Sequence, residues 1–159
     1  MFQQLDYSGE KTKDYELLIK QLDALSTGES NQTALLANAS SLLNQFLDEV
    51  NWVGFYLTEN EELVLGPFQG LPACIRIPFG KGVCGTAVSK NKTQRIADVH
   101  QFPGHIACDG ASKSEIVIPI SRNKEIIGVL DIDSPIYDRF DAIDQDNLEK
   151  FVAQLEKHL

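Results

Sequence analysis

The first third of the chain repeats apolar residues with the period of a helix. Between Lys11 and Leu25 they recur every three or four positions, and the same spacing returns between Leu35 and Leu47. Polar residues and glycine fill positions 26–31 between the two runs, where Ser30 or Asn31 is available as the N-cap of the second. The pattern predicts two amphipathic helices at the start of the domain.

From residue 51 the pattern changes to short β-branched and aromatic runs, which are typical of strands. The predicted strands are 52–57, 63–68, 75–78, 95–99, 115–120 and 125–131. A short helix is predicted over 83–89, ending at Asn91, and a closing helix over 140–155, with Asp141 near its start. The order ααβββαββββα, or one close to it, indicates an α+β sandwich around a central antiparallel sheet, in one domain spanning residues 1–159.

Residues 98–113 have no clean periodicity and predict a long loop. The loop includes His100, His105, Cys108 and Gly110. Loops of this length inside compact domains are usually functional, so the loop is a candidate part of a site.

The charge of the chain excludes some classes of partner. A formal net charge of −9 and an isoelectric point near 4.7 give a surface that repels phosphate backbones and anionic lipids, so we expect neither nucleic acid nor a membrane surface as a partner. The start of the chain has no basic stretch followed by an apolar core, and no apolar run approaches the length of a membrane span. A cytoplasmic protein is therefore expected.

Three cysteines, Cys74, Cys84 and Cys108, carry the candidate chemistry. An odd number cannot all pair within one chain, so a structural disulfide framework is not expected, and inert thiols, a metal site or redox chemistry stay open. His100 and His105 could add zinc ligands, but the tight spacings of zinc motifs are missing, so no metal is predicted.

Cys108 lies in the polar segment HIACDGASKSE, where a ligand can reach a thiol. Thiol attack needs the thiolate, so we expect His105, Lys113 or backbone amides near Gly110 to lower the pKa of Cys108.

The other two cysteines lie in different settings. Cys84 stands between two glycines at the predicted start of a helix, where amide dipoles favour a thiolate, although a small packing residue is the simpler interpretation. Cys74 follows Gly70 and Pro72 in a predicted loop, where it is free to move and so suits a resolving role.

Three carboxylates and two aromatic residues are further candidates. Asp131 and Asp133 are two apart on a strand and point to one face, with Glu115 on the neighbouring predicted strand. Taken alone, acidic residues at strand ends are usually solvated. Trp52 and Tyr56, four apart, also share a face and taken alone are core aromatics.

Several segments together resemble a known family. NWVGFYL, FGKGVCGTAV, IPI and GVLDIDSP resemble a GAF domain, and the three cysteines with the aromatic residues and carboxylates above resemble the free methionine-(R)-sulfoxide reductases. The resemblance implies a six-stranded antiparallel sheet with helices on one face and a loop-roofed pocket on the other.

The resemblance also implies a mechanism. Cys108 attacks the sulfoxide sulfur and becomes a sulfenic acid, Cys74 resolves it to a disulfide with Cys84 as substitute, and thioredoxin reduces the disulfide, with no other cofactor. An exchange of roles between Cys84 and Cys108 stays open.

Within the implied pocket, one of the carboxylates Glu115, Asp131 and Asp133 stays protonated and donates to the sulfoxide oxygen, while another holds the ammonium of free methionine sulfoxide. Trp52 and Tyr56 form walls against its methyl group. A homodimer is implied as well. The main competing interpretation is a GAF module that binds or senses a small molecule without chemistry, and another is a structural dimerisation protein built on the leading helices.

Overall fold

A six-stranded antiparallel sheet organises the computed structural model, which describes residues 2–159. The helices are α1 (Lys11–Ser26), α2 (Gln32–Phe46), α3 (Gly82–Lys90) and α4 (Ala142–Glu156). The strands are β1 (Trp52–Glu59), β2 (Glu62–Gly70), β3 (Arg76–Pro78), β4 (Gln94–Ile96), β5 (Ser114–Arg122) and β6 (Glu125–Ser134). Their order across the sheet is β3-β2-β1-β6-β5-β4. The predicted α+β class and the six-stranded antiparallel sheet are confirmed.

Two hairpins set the register of the central strands. Asn60 and Glu61 connect β1 to β2, and Asn123 and Lys124 connect β5 to β6, all four with positive φ. Two-residue turns with positive φ match the twist of the paired strands, so they hold a fixed register. The hairpin connections are therefore shorter, and the strands longer, than the sequence predicted.

The written order ααβββαββββα has one strand too many after α3, because three strands follow α3 in the structure, as in the list of predicted strands. The predicted strand over 95–99 ends at Ile96, and Val99–Gln101 forms a single turn of 3₁₀-helix. The Asp98 side chain accepts a hydrogen bond of 2.9 Å from the His100 amide. This local side-chain bond competes with strand pairing and turns the chain away from the sheet.

Alternation along the central strands divides the interior into two layers. One layer packs α1, α2 and α4 against strand residues such as Val53, Phe55, Ile116 and Leu130. The residues between them in sequence face the opposite side, as the period of two in a strand requires. The sheet therefore has a helix-covered face and a second face that is available for a site.

The second face is also partly covered by a helix, which the prediction of helices on one face did not include. Val83 and Ala87 of α3 pack there with Leu63, Val117 and Val129. None of the helices in residues 2–159 is long and apolar enough to cross a membrane.

Gly54 of β1 allows Trp52 to lie against the second face. A Cβ atom at Gly54 would meet the Cβ of Phe68 and would lie 2.7 Å from Cη2 of Trp52. The strand therefore has no room for a side chain at this position.

We expect Gly54→Ala to lower the free energy of unfolding by about 1–3 kcal/mol, because overpacking would force the indole of Trp52 aside. Urea unfolding followed by tryptophan fluorescence measures this, since Trp52 is the single tryptophan. Gly110→Ala is the matched control, because a Cβ there meets nothing within 4 Å. Equal stability of the two variants would contradict the close packing at Gly54.

Candidate redox site

Strand register places the acidic residues of the site in adjacent rows. Trp52 of β1 pairs with Asp133 of β6, which pairs with Glu115 of β5. Asp131 lies in the next row on the same face, opposite Gly54. The predicted shared face of Asp131 and Asp133 is confirmed, and all three carboxylates line one cavity.

Two buried serines fix the strand ends that carry these carboxylates. Ser114 and Ser134 are partners in the β5–β6 ladder, next to Glu115 and Asp133 in sequence. The Ser114 hydroxyl donates to the carbonyl of Ile136 at 2.6 Å, and the Ser134 hydroxyl donates to the carbonyl of Glu49 at 2.6 Å. The start of β5 is therefore bonded to the segment that follows β6, and the end of β6 is bonded to the segment that precedes β1.

Trp52 and Tyr56 form one wall and hold the segment that contains Cys74. Their rings are stacked with centroids 5.8 Å apart, and both side chains are only 2% exposed. The indole nitrogen of Trp52 donates to the carbonyl of Leu71 at 3.1 Å, and the Tyr56 hydroxyl donates to the carbonyl of Cys74 at 2.9 Å. The two aromatics therefore position the β2–β3 connection as well as lining the cavity.

A disulfide joins Cys74 to Cys108 and closes the cavity from above. The two Cα atoms are 5.5 Å apart, although the residues are 34 positions apart in sequence. Cys108 lies in the long loop, and Cys74 lies in the connection held by Tyr56. The bond joins the two cysteines that the family resemblance implied as attacking and resolving residues.

Cys84 lies below the disulfide, in the first turn of α3. It is 4% exposed, and its sulfur is 3.9 Å from Oε1 of Glu115. Burial, followed by the charges of Asp131 and Glu115, raises its pKa well above the ordinary value. The expectation that helix dipoles favour a thiolate at Cys84 is therefore wrong, because desolvation outweighs them.

The three carboxylates are held toward their protonated forms. Burial is the largest cause of the raised pKa of Glu115, Asp131 and Asp133, and the charge of Asp131 also raises the pKa of Glu115 and Asp133. Glu115 and Asp131 are each 6% exposed. Glu115 and Asp131 are therefore not solvated strand ends, as the resemblance implied, whereas Asp133 is half-buried.

One oxygen of Asp131 has no hydrogen-bond partner in the described residues. Oδ1 of Asp131 is buried, and Asp131 lines the cavity. Buried polar atoms nearly always form a hydrogen bond, so this oxygen is available to accept one from a shared proton or from a ligand donor.

His105 contacts the carboxylates from the loop, with Nε2 at 3.9 Å from Oε2 of Glu115. Burial and the nearby His100 lower the pKa of His105, so it is neutral at neutral pH. The ammonium of Lys113 lies 5.2 Å from the centre of the Tyr137 ring. Neither side chain supplies a positive charge beside Cys108 in this arrangement, and the predicted lowering of the Cys108 pKa stays a prediction.

The cavity between disulfide and sheet has a volume of about 40 Å³. Cys84, Glu115 and Asp131 present potential ligand atoms within 4.8 Å of one another, although no tight motif brings them together in sequence. Raised pKa values oppose metal binding there, because a metal would require the anions. The absence of a metal stays a prediction.

Sequence reasoning missed Asn51, which connects the Cys108 loop to the sheet. Its side-chain amide donates to Oδ2 of Asp109 at 2.9 Å and to the Ser112 hydroxyl at 3.2 Å, and its backbone amide donates to the carbonyl of Asp133 at 2.9 Å. Its own Oδ1 is buried without a partner in residues 2–159. The one sequence signal for Asn51 is its position directly before Trp52, at the start of a predicted strand that carries candidate site residues.

We expect each of the single variants Asn51→Asp and Asp109→Asn to weaken the attachment of the Cys108 loop to the sheet. The double variant, which exchanges the two residues, should keep the loop attached. Asn51→Asp places two carboxylates together, so they repel. In wild type, Oδ2 of Asp109 accepts from Asn51 and Oδ1 accepts from the Ala111 amide at 2.9 Å. Asp109→Asn leaves one side-chain oxygen to accept both hydrogen bonds. In the double variant each donor again meets an acceptor.

Hydrogen exchange of residues 103–112 in the reduced protein measures this attachment. Exchange should be about tenfold faster in Asn51→Asp, intermediate in Asp109→Asn and close to wild type in the double variant. Additive effects of the two changes would contradict the bond between these side chains.

We expect Glu115→Gln to become more stable relative to wild type as pH rises. A carboxyl whose pKa is raised by folding binds its proton more tightly in the native state, so wild type loses stability as pH rises from the unfolded pKa through the folded pKa. The variant has no such loss, and the gain is about 1.4 kcal/mol for each unit of elevation.

Urea unfolding from pH 4 to pH 9, with the disulfide intact, measures the difference. Glu125→Gln, at an exposed position, is the control. A stability difference between Glu115→Gln and wild type that does not change with pH would contradict the raised pKa.

Comparison with known proteins agrees with this geometry. A model of the GAF domain family matches residues 29–159. The chain is 60% identical over 161 residues to protein YtsP of Bacillus subtilis (strain 168), covering 100% of this chain and 99% of that one. It is 57% identical over 149 residues to the free methionine-R-sulfoxide reductase of Escherichia coli (strain K12), covering 94% of this chain and 90% of that one.

A solved structure extends the similarity to the whole fold. The X-ray structure of free methionine-R-sulfoxide reductase from Neisseria meningitidis in complex with its substrate matches with a TM-score of 0.95 at 41% identity, covering 99% of this chain and 95% of that one. The six-stranded sheet, the helices and the match to the family model define a GAF-domain protein that contains a Cys74–Cys108 disulfide. The chain belongs to the family of free methionine-R-sulfoxide reductases.

Proposed function

We propose that this protein reduces free methionine-R-sulfoxide to methionine, using Cys108 and Cys74 as the two-electron donor. The observation that carries the proposal is a Cys74–Cys108 disulfide whose Cys108 lines the same cavity as buried Glu115 and Asp131 and half-buried Asp133. The relatives named free methionine-R-sulfoxide reductase support the substrate and its epimer. The net reaction converts two thiols and a sulfoxide into a disulfide, a thioether and water.

Cys108 is the attacking residue in this mechanism. Its thiolate attacks the sulfoxide sulfur, and the oxygen ends on the Cys108 sulfur as a sulfenic acid while free methionine is released. Its position in the loop over the cavity supports this role. Cys84 is less suited, because burial and the neighbouring carboxylates keep it a thiol.

Glu115 supplies the proton that the sulfoxide oxygen needs. Burial and the charge of Asp131 keep it protonated, and a neutral carboxylic acid can donate where a carboxylate cannot. The Cys84 thiol, 3.9 Å away, donates to its Oε1 and helps to orient it.

Asp131 is the best-supported site for the ammonium of the substrate. Its buried Oδ1 has no partner in residues 2–159, and an ammonium donor would satisfy it. Asp133, in the adjacent row, is available to the same group. A methionine sulfoxide within a peptide lacks this ammonium, so the site selects the free amino acid. Trp52 and Tyr56 offer an apolar wall for the methyl group.

Cys74 completes the first half of the cycle. Its thiol attacks the sulfenic acid of Cys108, forming the disulfide and releasing water. A dithiol protein of the thioredoxin type then returns two electrons and two protons, and itself becomes a disulfide. No other cofactor is needed for this balance.

The competing function is binding or sensing without chemistry. The buried acids and the aromatic wall would serve a sensor equally well. A sensor, however, gives no role to a disulfide that joins two loops directly over the pocket. The disulfide therefore favours the reductase.

Three further expectations accompany this function and stay predictions. They are a cytoplasmic location, a homodimer, and the absence of nucleic acid and membrane partners. The net charge of −9 supports the last of them.

We expect wild type to convert the R epimer of free methionine sulfoxide to methionine with dithiothreitol, and to leave the same group in a peptide unreduced. Cys108→Ser should lose activity by at least about a thousandfold, because serine is a poor nucleophile toward sulfur. Cys74→Ser should form one methionine per chain in a single turnover and hold a sulfenic acid that dimedone traps at Cys108. Cys84→Ser should stay active, because its hydroxyl can still donate to Glu115.

Chromatography of methionine and mass spectrometry of the trapped peptide give these readouts. Binding of the sulfoxide without any methionine would favour the sensor. Dimedone on Cys84 instead of Cys108 would exchange their roles.

A further inference from the structure

Exposed apolar side chains surround the disulfide on the outer surface. Leu71 is 64% exposed, Ile75 is 68% exposed and Ile106 is 37% exposed. Each lies within three residues of Cys74 or Cys108 along the chain, and Leu71 and Ile106 also line the mouth of the cavity. We refer to these three residues as the apolar rim.

The apolar rim is also free of charge in a strongly acidic chain. Residues 63–75 and 99–108 contain no aspartate, glutamate, lysine or arginine, although charged residues make up 23% of the sequence. Of the charges that border these segments, Arg76 and Glu62 pair at 3.2 Å, Asp98 lies 3.0 Å from Nδ1 of His100, and Asp109 accepts hydrogen bonds from the amides of Asn51 and Ala111. A partner that docks on these two segments therefore contacts no charged side chain within them.

We propose that the apolar rim is the docking surface for the dithiol protein that reduces the Cys74–Cys108 disulfide. This inference rests on the proposed function, which leaves the disulfide to be reduced in every cycle. Because the rim is uncharged, the fitting partner has an uncharged apolar surface around its own two thiols. The contact is small and transient, as is usual between redox proteins.

The electron transfer occurs at the centre of this surface. One thiolate of the partner attacks one sulfur of the disulfide, breaks the bond and forms an intermolecular disulfide. The second thiol of the partner then attacks the partner's own sulfur in that bond. The partner is released with an intramolecular disulfide, and Cys74 and Cys108 are both thiols again. The partner is oxidised by two electrons and this protein is reduced by two.

A substitution of Ile75 tests docking without changing the cavity, because Ile75 is not one of the residues that line it. We expect Ile75→Asp to lower kcat/KM for a bacterial thioredoxin about tenfold or more, and Ile75→Ala about threefold, because apolar contacts at the centre of an interface carry most of its energy. With saturating dithiothreitol, both variants should turn over at the wild-type rate. Ile143→Asp, at a 45% exposed position on α4, should change neither rate.

Salt provides a second measurement. The wild-type rate with thioredoxin should change less than about twofold between low and high ionic strength, since charge steering plays no part in an uncharged contact. A steep loss with salt would overturn the uncharged contact.

The outcomes separate this inference from the proposed function. Equal thioredoxin rates for wild type and Ile75→Asp would overturn the docking surface, and so would an equal loss with dithiothreitol. No turnover of wild type with dithiothreitol would instead contradict the proposed reductase. Turnover with dithiothreitol but none with thioredoxin would overturn the partner class alone.

Discussion

The crowding of three carboxylates on one face of the sheet, with Glu115 and Asp131 buried and Asp133 half-buried, is the constraint on which the rest of the site depends. Glu115, Asp131 and Asp133 repel one another and lose their hydration, so the cavity retains protons that a solvated cluster would release. The helix-covered face on the opposite side supplies the apolar packing that offsets this cost. The second face holds an apolar cluster under α3 as well as the carboxyl groups whose burial is costly.

The two loops above the carboxylates are held in different ways. Hydrogen bonds from Trp52 and Tyr56 fix the connection that contains Cys74. The longer loop, with Cys108, is attached through Asn51 and through the disulfide itself. Reduction removes the covalent link, after which the amide of Asn51 is one of the few polar contacts that hold the Cys108 loop to the sheet. Redox state and loop attachment are therefore coupled.

The cysteines show how environment divides residues of one type into different roles. Cys74 and Cys108 lie in connections between regular elements, where both are half-buried and Cys108 lines the cavity. Cys84 lies at the bottom, where its thiol stays protonated and faces Glu115. The two half-buried sulfurs form the disulfide, and the enclosed sulfur of Cys84 packs and donates a hydrogen bond.

By itself, the sequence determined most helices and strands and the face that each strand residue takes, because these depend on local periodicity. It misplaced the end of β4 and made the hairpin connections too long. It also predicted that Asp131 and Asp133 share a face. The tertiary structure decided how deeply Glu115 and Asp131 are buried, that burial raises the pKa of Cys84 and that Asn51 holds the loop. Each of these depends on residues distant in the chain, since burial and cross-strand neighbours have no local signal. The sequence pattern predicts which face of the sheet a side chain takes, and the tertiary structure determines its burial and the residues that it contacts.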